Sequence, residues 1–361
     1  MRFRAGVSRA PMHRLKAPVF VVRHRSPSHA LLTSSRDRHL MDRPTFDSAA
    51  PLQFVLNGKA GHSDSNATRA LIETRLHAAG RTGTVHFAAP GELALVARDA
   101  AAQALADASA VVAVGGDGTI NTVAQAAHGA GCTMGVIPEG TFNYFAREHG
   151  VPTETAEALQ WLFAARPEPV QISAINEQVF LVNASLGLYP DLLQDRETWK
   201  ARFGRSRLVA FGAGISALLR AQRHLKLGIE WEGKQREVRT LTLFVGNNQL
   251  QLTQLGLEDE VAQAEGAASD GHITAVILKP IGTVAMLGLM LRGALGQLGD
   301  AKGVQRLVCE SLVVSPSRML GRRTIKVAFD GEVSWMRAPI TLRVLPQPLW
   351  LLKAAPQTAA E

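Results

Sequence analysis

At 361 residues, 46% hydrophobic and 19% charged, the chain has the length for two domains and the composition of a globular protein. Its formal charge of +8 falls wholly within residues 1–40, where eight Arg and Lys16 stand against Asp37 alone. The neutral body therefore excludes a basic nucleic-acid-binding domain, and two cysteines, Cys132 and Cys309, exclude a disulfide framework and fit a reducing cytoplasm.

Residues 1–48 read as a basic, disordered tail in which Pro11, Pro18 and Pro27 break any period. An Arg-rich targeting peptide, a membrane-surface tether and an upstream translation artefact with the start at Met41 compete to explain it; an artefact or dispensable tail is the preferred reading. From 50 to 168 short apolar runs alternate with helical patterns. "PLQFVLNG" is a predicted strand, and a helix with Leu71, Ile72 and Leu76 on one face stops at Gly80. "GTVHFAA", "ASAVVAV" and "TMGVIP" follow as strands, separated by helices at "ELALVARDAAAQALADA" and, closed by Gly129, "TINTVAQAAHG". "TFNYFAREHG" is a further helix, closed by Gly150. Such alternation predicts a parallel sheet covered on both faces.

Past a boundary at Pro167 to Pro169 the pattern turns to strands, predicting an antiparallel β-sandwich over 169–350 and a C-terminal tail over 351–361. Hairpins are expected at Asn176–Glu177 and near Gly233, with further strands at "GHITAVILKP", "SLVVSPS", "TIKVAFDGEV" and "ITLRVLP". Helical patterns interrupt at 206–224 and 282–299; the second is a membrane-contact, acyl-pocket or core helix, and its apolar run Ile281–Leu291 is about half the ~20 residues a span requires. An exposed sandwich edge would suit a homodimer.

The stretch "VVAVGGDGTINTVAQAA", Val111 to Ala127, drives an apolar strand into a glycine turn, Gly115 to Gly118, and then a helix. At the carboxyl edge of a parallel sheet such a turn offers backbone N–H groups to phosphate, and glycine lets the anion approach. A bare Asp117 would repel phosphate, so it points to Mg²⁺ or a substrate hydroxyl between them; a helix-capping aspartate is the bland alternative. "GVIPEGTFNYFAREHGVP" repeats the plan, which would bring two Gly-Thr turns to one crevice with Thr119, Thr141 and Asn143 as polar ligands.

At these residues the chain resembles the diacylglycerol kinase catalytic-domain family, which includes bacterial lipid kinases and sphingosine and ceramide kinases. "GGDGT" is paired with "PEGTFN", "FVLNGKAG" is similar to the family's first nucleotide strand, and "ASDGHITAV" and "FDGEV" are similar to its later Asp-Gly and "DGE" segments. Thr122, Tyr144 and the Asn57-Gly58 pair depart from its usual Glu, Asp and Asn-Pro. The resemblance implies a Rossmann-like nucleotide domain, a β-sandwich lipid domain and a cleft between them. It implies transfer of the ATP γ-phosphoryl group, with Mg²⁺, to a lipid hydroxyl, in the cytoplasm or at the inner face of the membrane. Asn57, Gly115, Gly116, Gly118, Thr119, Asn121, Gly140 and Thr141 would hold the nucleotide. Asp117 would hold Mg²⁺ or take the hydroxyl proton, and Asp330 and Glu332 would join it as base candidates, Asp330 foremost. Ala267, Asp270 and His272 would hold a structural Mg²⁺, for which the alternative is a turn before a strand. His128 and His149 are read as helix-dipole partners. A soluble-substrate kinase of the NAD kinase type and a non-catalytic nucleotide or lipid-binding regulator remain rival readings.

Overall fold

The computed structural model describes residues 43–58, 65–187, 190, 225–247, 271–278, 304–317 and 324–354. Residues 1–42 of the tail expected at 1–48, the helical patterns at 206–224 and 282–299, and Ala267 and Asp270 lie outside these residues, whereas Phe46 within that tail packs on the first core and the Asp47 N–H donates to the Ala108 carbonyl.

The first half alternates β1 (Leu52–Asn57), α1 (Ser65–Ala78), β2 (Gly83–Ala88), α2 (Leu93–Ala106), β3 (Ala110–Gly115), α3 (Asp117–Ala130) and β4 (Thr133–Pro138). Short α4 (Tyr144–Glu148) and α5 (Thr155–Ala164) follow. β1 to β4 pair in parallel in the order β2-β1-β3-β4. Every residue of β3 and β4 is buried, which explains their unbroken apolar sequence. The buried face of α2 is Ala97, Ala100, Ala101 and Ala104, small enough to seat it closely against β1 and α3. Ile120, Val123, Ala124 and Ala127 give α3 its core face.

Gly131, with φ +75°, ends α3, so the stop expected at Gly129 is displaced by two residues; its N–H reaches the carbonyl of Ala127 in the left-handed cap that only glycine forms readily. The helix also begins earlier than expected, at Asp117, placing Gly118 and Thr119 in its first turn.

The remaining strands form two antiparallel sheets. One holds β6 (Ser173–Ile175), β7 (Gln178–Phe180), β9 (Leu225–Trp231), β10 (Lys234–Thr240), β14 (Ser311–Pro316) and β17 (Ile340–Val344), in the order β10-β9-β14-β17-β6-β7. The other holds β8 (Asn183–Gly187), β11 (Thr242–Gly246), β12 (Ile273–Leu278), β13 (Val304–Cys309), β15 (Thr324–Phe329) and β16 (Glu332–Arg337), in the order β13-β12-β11-β8-β15-β16. Ile229, Leu312 and Leu342 of the first sheet share one hydrophobic cluster with Leu186, Val245 and Val327 of the second. The hairpin at Asn176–Glu177 forms as expected. Glu232-Gly233 and Asp330-Gly331 each place two positive-φ residues at a two-residue turn, the conformation that suits the twist of a tight hairpin. "TIKVAFDGEV" is accordingly a hairpin of β15 and β16, where one strand was expected.

The chain returns to its beginning. β18 (Leu349–Lys353) inserts into the first sheet beside β4 and pairs antiparallel with β5 (Arg166–Val170). The expected boundary at Pro167 to Pro169 is thus a strand of the first sheet, and residues 351–353 belong to its core rather than to a tail. Pro tolerates this place because β5 is an edge strand. Leu349, Leu351 and Leu352 pack into the first core, and Lys353 reaches Glu168 at 3.3 Å. Among the described residues no helix is long and apolar enough to cross a membrane.

Candidate functional site

The two glycine turns meet back to back. A Cβ on Gly140 would lie 2.8 Å from Gly116 Cα and 2.6 Å from Asn143 Oδ1, and one on Gly115 would lie 2.7 Å from Thr119 Oγ1. These approaches are closer than any side chain permits, so glycine here serves packing between loops as well as phosphate access. The Glu139 N–H donates to the Gly115 carbonyl at 2.9 Å, tying the loops at their base.

Asp117 completes that junction. Its Oδ2 accepts the Asn143 N–H at 3.1 Å and its Oδ1 the Tyr144 N–H at 3.0 Å, so the carboxylate caps α4 from the first residue of α3. Burial raises its carboxyl above the usual range, and the backbone donors oppose that rise. Asn143, expected as a ligand, is buried in the left-handed region with φ +51°; its amide accepts from the Gly140 N–H and donates to the Gly140 carbonyl, both at 2.9 Å. It shapes the turn instead.

Thr119 is buried, and its Oγ1 accepts the Asn57 amide at 3.2 Å, linking the end of β1 to the first turn of α3. The Asn121 Nδ2 donates to the Val179 carbonyl at 2.9 Å and to Asp330 Oδ2 at 2.7 Å. Both amide hydrogens are thereby committed to the second half of the chain, while the side chain stays on the lining of the cleft where the nucleotide is expected. Gln125, one turn on, accepts the Val179 N–H at 2.6 Å and reinforces it.

Asp330 is 8% exposed and receives four hydrogen bonds: from the N–H groups of Leu181 at 2.7 Å, Val182 at 2.9 Å and Asn183 at 3.1 Å, and from Asn121. Burial pushes its carboxyl up, and these donors pull the other way. Glu332 differs in every respect. It is exposed, heads β16, and its Oε1 lies 3.3 Å from where a Gly118 Cβ would stand.

A cleft of about 710 Å³ opens between these groups, lined by Asn57, Gly116, Asp117, Gly118, Thr119, Asn121, Gly140, Thr141 and Glu332. Nearly all the expected nucleotide and catalytic residues therefore converge. Gly115 sits beneath Thr119 and Asp330 behind Asn121, neither on the lining. Leu93, Gln178 and Phe329 also line the cleft and escaped sequence reading, since none stands in a glycine or carboxylate motif; only the adjacency of Phe329 to "DGE" could have marked it. Glu139 escaped too, although it stands inside "PEGT"; it accepts the Thr68 hydroxyl at 2.7 Å.

Carboxylate oxygens of Glu332 and Glu139 with the hydroxyls of Thr119 and Thr141 form a hard-oxygen donor set, and no group of three or more His, Cys, Asp or Glu among the described residues could cage a metal alone. That combination fits Mg²⁺ carried on nucleotide phosphates and steadied by one or two carboxylates. At the other expected metal position only His272 is described, and its carbonyl accepts the Gln171 amide at 3.0 Å. The departures have local roles: the Thr122 hydroxyl donates to the Gly118 carbonyl at 2.9 Å, and Tyr144 stacks on Phe142 with centroids 5.5 Å apart. His149 is no charged dipole partner, because burial, aided by the Lys353 cation, lowers its pKa to about 4.

Residues 51–175 match the diacylglycerol kinase catalytic domain family. The chain is 32% identical over 192 residues to a Pseudomonas aeruginosa (strain UCBPP-PA14) protein named probable lipid kinase YegS-like, covering 52% of this chain and 60% of that protein. With a Bacillus subtilis (strain 168) diacylglycerol kinase it shares 29% identity over 233 residues, covering 63% of this chain and 73% of the relative. The crystal structure of a diacylglycerol kinase from Bacillus anthracis str. Sterne is similar in fold, with a TM-score of 0.59 and 18% identity over 85% of this chain and 97% of that one. The chain spans 27%, 60% and 48% of the length of the first curated relatives it matches. The family match, at residues 51–175, thus falls on the part of the chain that carries both glycine turns.

Proposed function

We propose that this protein is a lipid kinase that transfers the γ-phosphoryl group of ATP to the hydroxyl of diacylglycerol or a related glycerolipid or sphingoid lipid. The observation that carries this reading is the convergence of two glycine turns from the first sheet with Glu332 from the second half of the chain on one cleft. The lipid-kinase names of relatives support it. In this reading the two antiparallel sheets are a sandwich-like lipid domain, the parallel sheet is a Rossmann-like nucleotide domain, and the protein works in the cytoplasm at the inner face of the membrane.

Phosphates bind at the bare backbone of Gly116, Gly118 and Gly140, where the start of α3 adds its positive dipole end. Thr119 and Thr141 orient them. Mg²⁺, when bound, neutralises phosphate charge, and the Glu139 carboxylate with the Thr119 and Thr141 hydroxyls are the groups that would steady it. The acceptor hydroxyl attacks the γ-phosphorus as the bond to the β-phosphate oxygen breaks; its proton passes to a carboxylate, and ADP leaves. Glu332 suits that role better than Asp330 or Asp117. Asp330 is buried under four donors and Asp117 has both oxygens capped, whereas the Glu332 carboxylate is exposed at the cleft. Asp330 then acts as a positioning residue, holding β16 against α3.

The test is incubation of the protein with Mg·ATP and a micelle-presented panel of hydroxyl lipids, with NAD and no-lipid controls and the Glu332→Gln variant alongside. Labelled phosphate on one lipid class, abolished by the substitution, is the expected result. Labelled NAD would move the protein to the soluble-substrate kinases, and ATP binding without any labelled product would make it a regulator.

A further inference from the structure

We propose that the outer face of the β15–β16 hairpin, centred on Trp335, docks on an anionic lipid bilayer. This inference deepens the lipid-kinase reading and rests on it. β16 ends its sheet, and pairing with β15 places Val333, Trp335 and Arg337 opposite Ala328, Lys326 and Thr324. The alternate residues Ile325, Val327, Phe329 and Met336 pack toward the core between the two antiparallel sheets, so Trp335 points away from it. Trp335 is 66% exposed, the most exposed large hydrophobic side chain among the described residues.

The chemistry of this face is that of a membrane interface. Tryptophan favours the headgroup level, where its apolar ring is sheltered and its N–H stays wet. Lys326 stands directly across from it and Arg337 follows two residues on; none of the six residues on this side of the hairpin is acidic, and Ala328, at the end away from Arg337, is buried. The exposed Arg337 cation beside an exposed indole complements an anionic surface. Glu332 heads the same strand three residues before Trp335, about 10 Å along an extended backbone. Three residues apart on one strand, the two side chains face opposite sides of the sheet, so docking would hold the start of β16 near the bilayer while the Glu332 carboxylate stays on the cleft side.

The test is co-sedimentation of the full chain with phosphatidylglycerol-rich vesicles and with phosphatidylcholine vesicles, for the wild type, Trp335→Ser and Arg337→Glu. The wild type is expected to prefer the anionic vesicles, Trp335→Ser to bind them about tenfold more weakly, and Arg337→Glu about fivefold more weakly. Quenching of tryptophan fluorescence by brominated lipid should be largest in the wild type and fall in Trp335→Phe. Turnover of a short-chain soluble diacylglycerol should be equal in wild type and Trp335→Ser, which also shows the variant to be folded. Unchanged vesicle binding in both charge and tryptophan variants overturns the proposal and transfers any anionic-vesicle binding to another surface, such as the basic residues 1–40. Variants that alter self-association in light scattering without altering vesicle binding overturn it in favour of a dimer edge. Docking through Trp335 without phosphorylation of any lipid would leave the surface standing and defeat the kinase reading; soluble turnover with Trp335-independent binding would do the reverse.

Discussion

The side-chain amide of Asn121 donates a 2.7 Å hydrogen bond to the Asp330 carboxylate across 209 residues of sequence. It joins the first turns of α3 to the hairpin that presents Glu332, so the two halves of the cleft are held in register by a buried, polar tie. Replacing Asp330 with alanine would leave three backbone N–H groups and the Asn121 amide without their acceptor. The expected cost is about 3 kcal/mol of stability or more, read as a lowered urea midpoint. Asn121→Ala, which removes two donors and keeps the three backbone bonds, should cost less.

Glu332→Gln should separate catalysis from structure. Kinase turnover is expected to fall about 10²–10⁴-fold, since the amide keeps the shape but cannot take a proton. Stability should stay within about 0.5 kcal/mol because the side chain is exposed. Single-turnover kinetics and thermal unfolding on the same samples check both; a variant that unfolds in parallel with its loss of activity would place Glu332 among the structural groups.

Two glycine substitutions should have opposite signs. Gly140→Ala forces a methyl group to within 2.6 Å of Asn143 Oδ1 and 2.8 Å of Gly116 Cα, so a loss of about 1–3 kcal/mol and weaker ATP binding are expected. Gly129 lies inside α3 with nothing within 4 Å of its added Cβ, and Gly129→Ala should stabilise by about 1 kcal/mol through helix propensity. Denaturant titrations of the pair, with isothermal ATP titration of the first, decide the matter.

The His149 imidazole, stacked edge-on against Phe145 with centroids 4.6 Å apart, gives the protein an acid limit. Its folded pKa, lowered by burial to about 4, lies below the ordinary imidazole value of 6.5, so the unfolded chain takes up the proton first. The resulting stability is fully present above the unfolded value and is lost as pH falls through the folded one, up to about 3 kcal/mol. Urea midpoints measured between pH 7 and about pH 4 should decline in the wild type and decline less in His149→Phe; parallel curves would assign the acid limb elsewhere.

Periodicity carried the parallel sheet, because buried strands read as apolar runs and their crossover helices as spaced apolar faces. The glycine turns were legible for a similar reason: only glycine admits the approaches that Gly115 and Gly140 make. Hairpins announced themselves through Asn176 and the Gly233 turn, where local backbone conformation is set by a few adjacent residues. None of this local chemistry could say that Leu349–Lys353 rejoins the first sheet, since a strand's partner across the chain leaves no mark in its own period. Nor could it divide labour among three carboxylates of identical chemistry. Asp117 became a cap and Asp330 a clasp because tertiary packing aimed backbone donors at them, and Glu332 kept an exposed carboxylate because the Asp330-Gly331 turn carries it past that packing to the cleft. Sequence determined which residues could serve the chemistry; the desolvation and hydrogen bonding that assign each its task arise only when distant segments meet.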